Sequence, residues 1–162
     1  MTTPTYSGGC QCGTIRFRIK GVLNDSSICH CRMCQKAFGG YFAPLVSTKG
    51  AELTWTRGTL KHFQSSNLVK RGFCDACGTP LTYEAPDVMA IAAGAFDDPS
   101  LLPPTFQHGL EGKLSLVDHF STLPGMTTEE DETDGDYIHR IISYQHPDHD
   151  TDTWPQPHGA KP

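Results

Sequence analysis

Three cysteines fall within six residues at Cys29-His30-Cys31-Arg32-Met33-Cys34, a density that packing alone almost never requires. In an extended segment, residues two apart share a face at about 6.6 Å, and a short turn brings residues three apart back together. The sulfurs of such a C-x-C-x-x-C run can therefore converge on one ion. A tetrahedral zinc with Zn–S bonds of about 2.3 Å needs sulfurs roughly 3.8 Å apart, which this spacing reaches at little backbone cost. Three thiolates leave one corner unfilled, as catalytic zinc sites do, whereas structural sites are closed by four protein ligands. The competing reading, buried inert cysteines, suits one Cys better than three at this spacing.

The other four cysteines form two pairs. Cys10-Gln11-Cys12 lies between Gly9 and Gly13, glycines that let the backbone turn tightly around an ion. Cys74-Asp75-Ala76-Cys77-Gly78 has the shape of a zinc knuckle. A thioredoxin-like redox pair would open a helix in a βαβ unit, but Thr79-Pro80-Leu81-Thr82-Tyr83-Glu84 continues as a strand. Spacing does not settle the grouping, since Cys31, Cys34, Cys74 and Cys77 also read as a ribbon of two C-x-x-C knuckles. His30 or His62 would supply a fourth ligand if the three-cysteine site is closed. His62, His108 and His119 read better as ordinary strand histidines, and His139, His146, His149 and His158 show no fixed ligand spacing.

The elements that must position these thiols read as strands. Ile15, Phe17 and Ile19 alternate with Thr14, Arg16 and Arg18, as a half-buried strand should. Residues 35–40 read as a helical turn stopped by Gly39 and Gly40, and Tyr41 to Val46 as a strand that Pro44 confines to an edge or a bulge. Residues 52–56 and 60–63 around Arg57-Gly58 read as a hairpin. Further strands are expected at 68–73, 79–84, 88–93, 106–108 and 114–120, with 88–93 preferred as a strand over a helix because Gly94 cuts it short. Tyr137 to Tyr144 has enough apolar residues to dock on the body as a helix or strand, and His146 to Pro162 is expected to be flexible.

At 162 residues the chain suits one domain and an appendage. Residues 1–125 hold 11 Lys and Arg against 9 Asp and Glu, and residues 126–162 hold 2 against 9. A near-neutral body with an acidic tail lacks the basic footprint of a nucleic-acid binder. Residues 1–9 carry no basic and apolar leader pattern, and no run approaches eighteen apolar residues, so no membrane contact is expected. An odd count of 7 cysteines argues against a disulfide framework. Clustered thiols in a cytoplasmic, reducing setting are better read as metal ligands.

Taken together, Gly9-Cys10-Gln11-Cys12-Gly13, the 29–34 run, and Phe73-Cys74-Asp75-Ala76-Cys77-Gly78-Thr79-Pro80-Leu81 resemble the glutathione-dependent formaldehyde-activating enzyme family, which also includes centromere protein V. The resemblance spans roughly residues 6–125. It implies a mainly β, Mss4-like (β-tent) fold of antiparallel sheets with zinc-binding knuckles, a zinc domain over 1–125, and an acidic linker and mostly flexible tail over 126–162. It further implies two zinc ions: a structural one on Cys10, Cys12, Cys74 and Cys77, and a catalytic one on Cys29, Cys31 and Cys34. Linking Cys12 to Cys74 closes a long loop, worth about 4 kcal/mol by the logarithmic closure scaling. The family's reaction adds a thiol, typically glutathione, to formaldehyde and is classed as a carbon–sulfur lyase. His30 and Tyr41 are the nearest proton-transfer candidates, and Arg32, Lys36, Lys70 and Arg71 the nearest cations for the thiol's carboxylates. The rival class is a zinc-stabilised binding module without turnover.

Overall fold

The computed structural model describes residues 2–131 and 140–153. Its elements run β1 (Thr5–Gly9), β2 (Arg16–Lys20), β3 (Ser26–Cys29), α1 (Arg32–Phe38), β4 (Ala43–Ser47), β5 (Glu52–Arg57), β6 (Lys61–Gln64), β7 (Lys70–Phe73), β8 (Thr82–Ala85), β9 (Val88–Ala92) and β10 (Phe106–His108). Short 3-10 turns follow β9 and β10. Strands β1-β2-β5 form one antiparallel sheet, and a seven-stranded sheet runs β10-β3-β4-β9-β8-β7-β6. All pairings in the larger sheet are antiparallel except β10 with β3, which is parallel. The mainly β, β-tent class expected from the sequence stands.

Alternation drives the packing between the sheets. Ile15, Phe17 and Ile19 are at most 1% exposed, and they share one core with Val46, Leu81, Ile91 and Phe96. Phe17 meets Phe96 and Trp55 edge-on, with centroids 5.2 and 5.8 Å away. Cys10, Cys12 and Cys74 belong to this core. Cys34 lies in a smaller one with Ala43, Leu45 and Ala90. The two thiol groups are thus set in separate apolar beds.

Several elements depart from the sequence expectation. The 52–56 and 60–63 segments are strands but not a hairpin, because β5 pairs with β2 while β6 pairs with β7 in the other sheet. Leu53 and Trp55 pack against the main core, whereas every residue of β6 is exposed, so the two strands follow different partners. Pro44 lies on an interior strand, not an edge. The β9 ladder begins at Leu45, so on that side it needs no donor from the proline. The 114–120 segment is a 3-10 turn over Ser115–Thr122, with Val117 N–H donating to Leu114 O at 3.1 Å. Its apolar residues recur at helix-like spacing, and Phe120 meets Tyr41 at 5.6 Å. The helix α1 starts earlier than expected and takes in Cys34.

The tail also differs. Residues 137–139 of the segment expected to dock lie outside the described residues; of its remainder, Ile141, Ile142 and Tyr144 are exposed. Residues 146–151 dock in their place. His146 is 3% exposed and its N–H donates to Gln11 O at 2.7 Å. Asp150 pairs with Arg16 at 2.9 Å and Arg18 at 2.8 Å, and Arg57 donates to the Thr151 carbonyl. Acidic composition reads as solvated in sequence, but here Asp150 answers two arginines on β2, Arg16 and Arg18.

Candidate metal centres

Two turns, each closed by a cysteine N–H donating to the carbonyl five residues on, build the first centre. In one, Cys10 N–H donates to Ile15 O and Gly13 N–H to Cys10 O, both at 3.0 Å. In the other, Cys74 N–H donates to Thr79 O at 3.0 Å and Gly78 N–H to Cys74 O at 2.8 Å. Gly78 has φ +78°, a left-handed conformation that suits glycine. Gln11 N–H donates to Thr79 Oγ1 at 3.1 Å and ties the two turns together. Cys10 and Cys12 sulfurs lie 3.6 Å apart, Cys12 and Cys74 sulfurs 3.8 Å, and all four sulfurs lie within 4.8 Å of one another.

Cys29, Cys31 and Cys34 form the second centre, their sulfurs also within 4.8 Å. Cys29 ends β3, Cys31 precedes α1, and Cys34 sits in its first turn. Cys29 and Cys31 sulfurs are 3.5 Å apart, and both residues are half-buried while Cys34 is buried. Among the described residues, no histidine nitrogen or carboxylate joins either group. The grouping is therefore four and three, and the ribbon pairing of Cys31 and Cys34 with Cys74 and Cys77 is not formed.

The other site candidates separate clearly. His30 stays outside the thiol group; its Nε2 lies 2.8 Å from Gln107 Oε1, and its Nδ1 is buried without a partner. His62 pairs with Glu84 at 2.9 Å on the exposed edge. Tyr41 is exposed beside Phe120. Arg32, Met33, Lys36, Phe63 and Ser65 line an open groove of about 320 Å³ along α1. Arg71 reaches the second centre directly, Nη2 donating to Cys34 Sγ at 3.3 Å. Lys70 instead pairs with Glu84 at 3.1 Å.

Sequence reasoning missed Gln35, which is 3% exposed. Its Nε2 donates to His30 O at 2.8 Å and to Gly112 O at 3.0 Å, fastening the three-cysteine run to the loop after β10. A Cβ on Gly112 would stand 2.7 Å from His30 O, so this close approach requires glycine. Nothing in the local pattern marks a helix glutamine as a brace; only its burial does.

In each centre the surroundings lower the pKa of one thiol and raise those of two others. Burial pushes Cys10 and Cys74 up. Burial also opposes ionisation of Cys77, but the Thr79 hydroxyl and nearby N–H donors bring its pKa down to about 6. In the second centre burial pushes Cys29 up to about 12 and raises Cys34 despite Arg71. For Cys31 burial is outweighed by the Cys34 N–H and its thiol neighbours, with Arg71 helping, and its pKa falls. Several thiolates this close repel one another unless a cation lies between them. The sulfur separations match the roughly 3.8 Å edge of a tetrahedral thiolate site, so both donor sets fit a soft divalent metal.

None of the curated proteins matches this sequence. Among solved structures, a Rhodobacter sphaeroides protein of 22% identity superposes with a TM-score of 0.47, covering 62% of this chain and 98% of its own. Among the described residues, no helix is long and apolar enough to cross a membrane. Residues 5–109, which hold all seven cysteines, match the glutathione-dependent formaldehyde-activating enzyme family. At that coverage the chain belongs to the glutathione-dependent formaldehyde-activating enzyme family.

Proposed function

We propose that the protein is a zinc-dependent enzyme of the carbon–sulfur lyase type, which adds a glutathione-like thiol to formaldehyde or a related small aldehyde. The observation that carries this reading is the three-cysteine group with no fourth protein ligand among the described residues, two of its thiols half-buried and so within reach of a ligand. Cys10, Cys12, Cys74 and Cys77 would hold a structural zinc, and Cys29, Cys31 and Cys34 a catalytic one. A zinc ion there would supply stabilisation of a thiolate at a pH where free thiol predominates. The chain's own residues do the rest. The buried Cys34 bed excludes water from one side, and Gln35 fixes the run that carries Cys29 and Cys31.

In the reaction, the thiol gives up its proton and its sulfur pair forms the C–S bond. The aldehyde's carbonyl π pair moves to oxygen, which takes up a proton, so the S-hydroxymethyl product balances without a further reactant. The thiol's carboxylates find cations at Arg32 and Lys36 in the groove along α1. No disulfide joins any of the seven cysteines, which supports a reducing, cytoplasmic setting. The catalytic unit is residues 1–125, with the acidic segment after it serving as an appendage.

Cobalt substitution tests the reading. Glutathione should change the ligand-field and thiolate charge-transfer bands, and formaldehyde should then be consumed. Cys31→Ala should abolish both effects while the four-cysteine site stays loaded. A spectrum indifferent to thiols would leave a metal-stabilised module without turnover.

A further inference from the structure

Arg71 is a charge in a place where charges are expensive. It is 5% exposed, its guanidinium lies over the Tyr83 ring at 5.1 Å, and its Nε donates to Ser65 Oγ at 3.0 Å. Among the described residues no carboxylate pairs with it. A buried guanidinium persists only against compensating negative charge. The group it touches that would carry negative charge with a metal bound is the three-cysteine centre, through Nη2 and Cys34 Sγ at 3.3 Å. Its other terminal nitrogen, Nη1, belongs to the same planar fork and is buried with no hydrogen-bond partner.

Charge counting shows what that spare donor is suited to. Three thiolates around a divalent ion sum to one negative charge, and an entering thiolate would raise this to two. A cation standing beside the site would offset that second negative charge and favour the entering thiolate over a neutral ligand. Arg71 supplies that cation, already fixed in orientation by Ser65, Tyr83 and Cys34. A fixed donor is spared the ordering cost that a surface lysine would meet on binding.

We propose that Arg71 is the thiolate-binding residue of the three-cysteine centre: Nη2 holds Cys34 Sγ, and Nη1 donates to the sulfur of the entering thiol, making the fourth corner selective for an anionic ligand. The inference rests on the reading of that centre as an open thiol site. No covalent step is involved; the thiol's proton goes to solvent as the thiolate enters.

The test compares two ligands on the cobalt-loaded full chain at pH 7. 2-Mercaptoethanol enters as an anion and carries no carboxylate, and imidazole enters neutral. Arg71→Met should weaken 2-mercaptoethanol about 10- to 100-fold, the scale of a lost hydrogen bond to a charged group, and leave imidazole within about twofold. Arg71→Lys, which keeps the charge but loses the fork, should give a smaller loss of the same selectivity and decides the matter if Arg71→Met does not load cobalt. Equal weakening of both ligands would assign Arg71 a purely structural role and overturn the proposal. So would unchanged thiol affinity in Arg71→Lys and Arg71→Met. If the parent protein itself ignores 2-mercaptoethanol and glutathione, the open-site reading fails first, a result distinct from the failure of Arg71 alone.

Discussion

Cys74 is buried and its sulfur sits 3.8 Å from that of Cys12, sixty-two residues earlier. An ion held there would join the first sheet to the end of β7, the penultimate strand of the second, and so couple metal binding to folding. Cys74→Ser is therefore expected to lower the melting temperature severely or prevent accumulation of folded protein; a melt like the parent's would remove Cys74 from the ligand set. Cys31→Ala should lose one metal ion per chain by elemental analysis with little change in melting, because that centre lies in its own small core. Phe17 shows the cost of ordinary packing. It is fully buried between Trp55 and Phe96, so Phe17→Ala should cost about 3–5 kcal/mol by denaturant titration.

At the scale of elements, the segment 145–151 behaves as a strap over the first centre. Arg16 is 3% exposed because Asp97 and Asp150 both answer it, and His146 covers the carbonyl between Cys10 and Cys12. Truncation after Tyr144 should uncover Arg16 and speed metal loss from the four-cysteine group to a chelator; an unchanged release rate would make the strap ornamental. Its docking also depends on pH. Burial tends to raise the Asp97 and Asp150 pKa values, but hydrogen bonds from Arg16, with Ser7 and Arg18, bring both below the usual carboxylate range. Burial lowers that of His146, with Arg16 and Arg57 nearby. Groups with depressed folded-state pKa values stabilise docking above their unfolded values and lose it as pH falls through the folded ones. The strap should hold fully above about pH 6.5, the ordinary histidine value, and loosen on acidification. Protection of the His146 amide against hydrogen exchange, corrected for intrinsic rate, should drop between pH 7 and 5; constant protection would refute this.

For the whole molecule, the two sheets share one apolar core, and a metal in the first centre would pin them at their junction. Removing metal leaves four close thiols, three of them buried, in a bed shaped for an ion. Exhaustive chelation should consequently abolish or sharply lower the cooperative thermal transition, and zinc should restore it. An apoprotein that melts like the loaded one would show that the core alone holds the sheets. The acidic excess of residues 126–162, 9 Asp and Glu against 2 Lys and Arg, should make the chain indifferent to DNA at moderate salt.

Much was legible before any coordinates. Seven cysteines in three clusters read most simply as metal ligands, and the alternation of Ile15, Phe17 and Ile19 has one physical meaning, so the mainly β class and the thiol motifs followed from local pattern alone. Which thiols share an ion did not, since C-x-C and C-x-x-C spacings fit several groupings and only strand placement selects among them. The false hairpin at 52–63 and the 3-10 turn at 115–122 arose because local alternation does not name a partner strand. Gln35, Arg71 and Asp150 each look like ordinary surface side chains in sequence. Their roles as brace, buried cation and tail anchor come from contacts across 77, 37 and 134 positions of chain. Tertiary structure decided these because burial, and the charge or hydrogen bond that must offset it, is a property of neighbours that the sequence keeps far apart.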